Sequence, residues 1–107
     1  NYSNNIVNII DEKLNIKVFV TNKERFITDG DFKNKELNSK LLELIEERKR
    51  YESINKETIN KISGYFVIYP IIVESDILGL LMFAKETAFT NEEKILTNII
   101  LKLIENH

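Results

Sequence analysis

Few residues in this chain have types and spacing suited to chemistry. Thr28-Asp29-Gly30-Asp31 sets two carboxylates on either side of a glycine, as a metal corner or a contact for a polar ligand would. A calcium loop needs many more oxygens at fixed spacing, and the same four residues make a capped turn leading into a helix. Arg48-Lys49-Arg50 offers three cations to a phosphate or a nucleic acid. Following Glu46 and Glu47 at a helix end, it also complements the helix dipole. Tyr51, Tyr65 and Tyr69 carry hydroxyls that suit a pocket, although the ordinary use of tyrosine at half-buried strand positions is in the core. The single histidine, His107, is the last residue, and cysteine is absent. Histidine general bases and multi-histidine metal sites are therefore not expected, and disulfides, thiolate sites and cysteine nucleophiles are excluded. The expectation is a protein that is not an enzyme, with no catalytic residue, no metal and no cofactor.

These residues must be positioned by a chain of 107 residues, the size of one domain. A hydrophobic share of 43% and a charged share of 30% match a folded globular domain rather than a disordered one. Fifteen Lys and Arg face seventeen Asp and Glu, a formal charge of −2. A free-standing nucleic-acid binder carries a basic excess, so no DNA contact is expected from this chain itself. No apolar run reaches the roughly eighteen residues of a membrane span, and no basic-then-apolar leader marks secretion. A cytoplasmic protein without a membrane partner is the expectation. The first residue is Asn1 rather than Met, as expected of the C-terminal part of something longer.

Periodicity gives the elements. Ile6, Ile9, Ile10 and Leu14 share one helical face, so a first helix is expected from about Asn4 to Leu14. Ile16 to Thr21 alternates as a strand, and Arg25 to Thr28 reads as a short returning strand. Leu37, Leu41, Leu44 and Ile45 predict a second helix over about Asn34 to Arg50. From Tyr51 to Ser63 the signal is weak, an edge strand and a loop. Gly64 to Glu74 and Ile77 to Lys85 are apolar runs around Glu74-Ser75-Asp76, the arrangement of a hairpin. Pro70 needs a bulge or an edge-facing position there, and Gly79 marks a bulge or a close backbone approach. Thr90 and Glu93 form a capping box. The helix behind it carries an apolar arc, Ile95 to Ile104, wider than packing on a sheet alone requires. Hairpins with flanking helices make an α+β domain built on an antiparallel sheet.

The run from Ser63 to Phe83 resembles the hairpin of GAF domains, where a strand ends in Pro plus an aliphatic residue and an aliphatic-Gly-aliphatic-aliphatic strand follows the turn. Ala88-Phe89-Thr90-Asn91-Glu92-Glu93 with Ile95-Leu96 is similar to the start of that family's closing helix. Within it, the chain looks most like the short GAF domains of AbrB-related sporulation transcription regulators. Tyr69 before Pro70, and Asp29 and Asp31 in the loop, depart from that pattern. The resemblance implies a GAF-like (profilin/PAS-like) fold: a five- to six-stranded antiparallel sheet, N- and C-terminal helices on one face and a second helix on the other. It also implies a single regulatory domain, residues 1–107, that senses a small molecule and biases a DNA-binding domain lying outside this chain. The residues that bind cyclic nucleotides in some GAF domains, and the cysteines of its methionine sulfoxide reductases, have no counterpart here.

Two sites are expected on this basis. Along Gly64 to Val73, Phe66, Ile68 and Ile72 should pack on the terminal helices. The face with Tyr65 and Tyr69 should then look toward the second helix, forming a small-molecule site with Thr28, Asp29, Asp31 and Lys33. A homodimer or higher homo-oligomer is expected, associating through a helical bundle using Ile6, Ile10, Leu14, Ile99, Ile100, Leu103 and Ile104. The alternative is a dimerisation or protein-interaction module of the same fold with no ligand.

Overall fold

A computed structural model describes residues 15–106; the expected first helix, with Ile6, Ile10 and Leu14, lies outside the described residues. The frame is the long hairpin that the two apolar runs make. Strands β4 (Ile62–Val73) and β5 (Asp76–Lys85) pair antiparallel through a two-residue turn. Glu74 and Ser75 both take left-handed backbone there, with φ of 51° and 71°, the combination whose twist matches the two strands. Between Ile71 and Ile72 the register shifts and Leu78 is left over, a β-bulge. The Ile72 N–H beside it donates to Glu105 Oε2 at 2.9 Å.

Three short strands complete the sheet: β1 (Lys17–Val20), β2 (Tyr51–Glu52) and β3 (Glu57–Ile59). The strand order is β1-β5-β4-β2, with β3 also on β4, and all pairings are antiparallel. The weak stretch after Tyr51 is thus two strands, and Asn60 and Lys61, again left-handed, turn β3 into β4. The expected return strand at Arg25 to Thr28 reduces to isolated bridges, Thr21 with Phe26 and Arg25 with Glu36. Pro70 sits opposite Leu80. Leu80 spends its own N–H and C=O on Thr21, so its pair with Pro70 is a non-hydrogen-bonded one. The missing proline donor therefore faces the side where β2 has not yet begun, as required.

Helix α1 (Ser39–Glu47) is shorter than the periodicity predicts. Leu37 N–H is engaged by Glu24 O, and Asn38 caps the helix by accepting from Leu41 N at 3.1 Å. Arg48, left-handed at φ 56°, ends it. Helix α2 (Asn91–Glu105) starts at the expected capping box, with Thr90 and Glu93 exchanging bonds of 2.9 and 3.1 Å.

The two helices lie on opposite faces of the sheet. Under α1, Leu41, Leu44 and Ile45 pack with Phe26, Phe66, Ile68, Leu80 and Met82. Under α2, Ile100 and Leu101 pack with Ile16, Val18, Val20, Val67, Tyr69, Leu81 and Phe83. This reverses the expected assignment of the β4 faces: Phe66 and Ile68 look toward α1, and Tyr69 looks toward the terminal helix. The reason is polar satisfaction. Tyr69 OH lies 2.7 Å from Thr97 Oγ1, and since Thr97 already donates to Lys94 O, the phenol is the donor. A buried hydroxyl with a partner removes the penalty that would have kept tyrosine off that face. Among the described residues no helix is long and apolar enough to cross a membrane.

Candidate functional site

The loop from Thr21 to Leu37 is anchored before it can present anything. Thr28 is buried and its hydroxyl accepts from Val20 N–H at 3.4 Å. Phe19, Phe26 and Phe32 pack as a trio with ring centroids 5.6 to 5.8 Å apart, a spacing at which edge-to-face pairs attract. Together they hold Thr28, Asp29, Gly30, Asp31 and Phe32 as one wall of an open cleft of about 390 Å³. Lys17, Phe19 and Lys61 line the other side. A second opening of about 600 Å³, bordered by Asn38, Asn60 and Glu36, shares Phe32 and Lys61 with it.

Only part of the expected ligand set meets here. Thr28, Asp29 and Asp31 come together; Lys33 lies outside the lining and is paired with Asp29 at 3.0 Å. Tyr65 and Tyr69 are not at this site. Tyr69 is under α2, and half-buried Tyr65 borders a recess of about 50 Å³ with Phe89 and Lys94. The interior beneath α1 is filled by Phe26, Leu41, Phe66 and Met82, and among the described residues no buried side-chain polar atom lacks a partner.

The expected association residues also divide. Ile100 is 4% exposed and belongs to the core under α2, and Ile104 packs against that core. Ile99 and Leu103 stay half-exposed at 51% and 47%, and Ile95, one turn earlier, reaches 62%. The arc is wider than the sheet needs, but its outward part is Ile95, Ile99 and Leu103. Spacing of i, i+4, i+8 identifies the stripe; which residues of the arc turn inward depends on where the sheet lies.

A feature with no clear sequence signal is the groove between α2 and β2. It measures about 630 Å³ and is lined by Arg50, Tyr51, Glu52, Val67, Tyr69, Lys94, Ile95, Asn98 and Ile99. The Arg50 guanidinium lies over the Tyr69 ring, 4.6 Å from its centroid. Lys94 is paired with Glu52 at 2.5 Å.

Electrostatic perturbation is confined to structural contacts. A hydrogen bond to Glu57, with burial and the Glu57 charge adding to it, pushes the Tyr51 phenol up to about 12. Ser53 Oγ donates to the same carboxylate oxygen at 2.7 Å, so the network clamps β2 to β3. Burial pushes Glu93 upward, but the Lys85 ammonium at 2.7 Å and the bonds from Thr90 outweigh it and hold the carboxyl below its ordinary value. Among the described residues no three His, Cys, Asp or Glu side chains are grouped to hold a metal ion. Comparison with protein families and with curated proteins finds no match to this chain.

Proposed function

We propose that this chain is a GAF-like regulatory domain whose principal act is to associate with a second copy of itself through α2. The observation that carries the reading is the stripe Ile95, Ile99 and Leu103: three large aliphatics on successive turns, each about half-exposed or more, on a helix whose other face is already packed. Scattered exposed aliphatics are ordinary, whereas a contiguous row marks an interaction surface. The occupant is α2 of a second copy, stripe against stripe, with the apolar residues of the segment 1–14 adding to the association. That segment carries Ile6, Ile10 and Leu14 at helical spacing and leads directly into Ile16, which lies in the core layer beneath α2. Support for the GAF-like fold comes from the antiparallel sheet with one helix on each face and from the stretches Ser63 to Phe83 and Ala88 to Leu96. The setting in a sporulation-type transcription regulator, with DNA contacted by another domain, rests on the sequence resemblance.

Light scattering behind gel filtration at tens of micromolar tests association. The parent chain should elute at twice its 12.6 kDa, and Leu103→Asp, changing a half-exposed residue, should return it to a folded single chain. A parent chain that runs as a monomer refutes the proposal. Ile100→Asp is no substitute, because it would place a charge in the core.

The cleft at Thr28 to Phe32 favours a second reading in the same domain, a sensor of a small polar molecule that stacks on Phe32 between Asp31 and Lys61. Amino acids and nucleotides screened by melting temperature test it: a shift removed by Asp31→Ala supports the reading, and a screen without any shift ends it.

A further inference from the structure

The groove between α2 and β2 sets two polar groups that neither the association stripe nor the Phe32 cleft uses, Arg50 and Asn98, beside two residues of the stripe, Ile95 and Ile99. Alternation along β2 sends Tyr51 into the layer under α1 and sends its neighbours Arg50 and Glu52 to the α2 side. Of the charges there, Lys94 and Glu52 neutralise each other. Arg50 is different. Its guanidinium lies over the Tyr69 ring, and among the described residues it makes no ion pair or hydrogen bond to a carboxylate or carbonyl. A guanidinium held over a ring by cation–π attraction still has its N–H groups to donate. Asn98 on the facing helix wall likewise keeps a side-chain amide without a hydrogen-bond partner among the described residues. Between these polar ends the floor and wall are aliphatic, formed by Val67, Ile95 and Ile99. About 630 Å³ is within the range of small-molecule sites.

We propose that this groove binds a small monoanion with a short aliphatic body, above all a carboxylate, with Arg50 as its anchor. The planar fork of arginine matches a carboxylate in bidentate geometry, Asn98 can complete the head group, and the aliphatic body covers Val67, Ile95 and Ile99. The single unneutralised positive charge selects one negative charge rather than several. The groove shares Ile95 and Ile99 with the association stripe, so a dimer through α2 would cover it; Leu103 lies outside the lining, so Leu103→Asp leaves the groove intact and open in a folded single chain.

The test titrates hexanoate, hexanamide and inorganic phosphate into the full chain carrying Leu103→Asp, followed by amide nitrogen–proton correlation spectra. Hexanoate should give saturable shifts centred on Val67, Tyr69, Ile95 and Ile99. Arg50→Gln, an exposed substitution, should weaken it about tenfold while the rest of the spectrum stays that of the folded domain, and Arg50→Lys should fall between. Hexanamide and phosphate should each bind about tenfold more weakly than hexanoate. The proposal is overturned if hexanoate binds Arg50→Gln as well as the parent. It is equally overturned if hexanamide or phosphate matches hexanoate, or if hexanoate gives no saturable shift in this groove.

Discussion

Gly79→Ala attacks the seam that positions β1, and through it the aromatic loop and the cleft. A Cβ built on Gly79 would stand 1.8 Å from the Thr21 carbonyl oxygen and 2.9 Å from Asn22 Cα, where contacts below 3.0 Å essentially never occur. The obstacle is backbone, so no rotamer change relieves it. Reaching 3.0 Å from 1.8 Å requires β1 and β5 to part by about 1.2 Å at this point. The same movement would stretch Thr21 N–H to Leu80 O from 2.9 Å, and Leu80 N–H to Thr21 Oγ1 from 3.0 Å, to about 4 Å each. Two neutral hydrogen bonds at roughly 1 kcal/mol each, plus overpacking strain of at least about 1 kcal/mol, make a loss of about 3 kcal/mol. In a domain of this size that lowers the melting temperature by about 12 to 24 °C. Urea unfolding followed by circular dichroism, with calorimetry alongside, measures both quantities. Leu78→Ala, at the half-exposed bulge one residue away, serves as the control and should cost under about 1 kcal/mol. A loss below about 1 kcal/mol for Gly79→Ala as well would refute the close approach of the two backbones.

Tyr51 should ionise near pH 12, which an absorbance titration at alkaline pH reads directly. Glu57→Gln should bring that step back toward the ordinary phenol range, and Tyr51→Phe should remove it. If the step near pH 12 survives Tyr51→Phe, the assignment is wrong. The folded value lies above the unfolded value of 10.0, so the stability this phenol contributes is present below pH 10 and is lost as pH rises toward 12. Tyr69→Phe deletes the donor to Thr97 Oγ1 and should cost about 1 kcal/mol by urea unfolding. Thr97→Val added to it should cost less than on the parent, since the two hydroxyls share one bond; full additivity would contradict the pairing.

Much of the frame is legible because it depends on neighbours in sequence. The β4–β5 hairpin follows from two apolar runs around a short polar turn, and the start of α2 follows from Thr90 and Glu93 three residues apart. Pro70 and Gly79 are each readable as constraints that the sheet must meet, and both are met. The start of α1 was misread because Leu37 continues the helical spacing, while its N–H is claimed by Glu24 and its neighbour Asn38 is held by Asn60, 22 residues away.

The candidate sites depended more on tertiary structure. Alternation along β4 separates Phe66 and Ile68 from Val67 and Tyr69, but alternation has no sign: it divides residues between two faces without saying which helix covers each. The sign comes from contacts far apart in the chain, such as Tyr69 with Thr97 at a separation of 28, which makes the tyrosine acceptable beneath α2. The same holds on α2, where the sequence marks the whole arc from Ile95 to Ile104 as apolar. Packing alone buries Ile100 and leaves Ile95, Ile99 and Leu103 outside. Arg50 reads in sequence as one cation among three at a helix end. Only the left-handed turn at Arg48 and the pairing of β2 on β4 bring it over Tyr69, because a groove is made by elements meeting and is encoded by no local pattern.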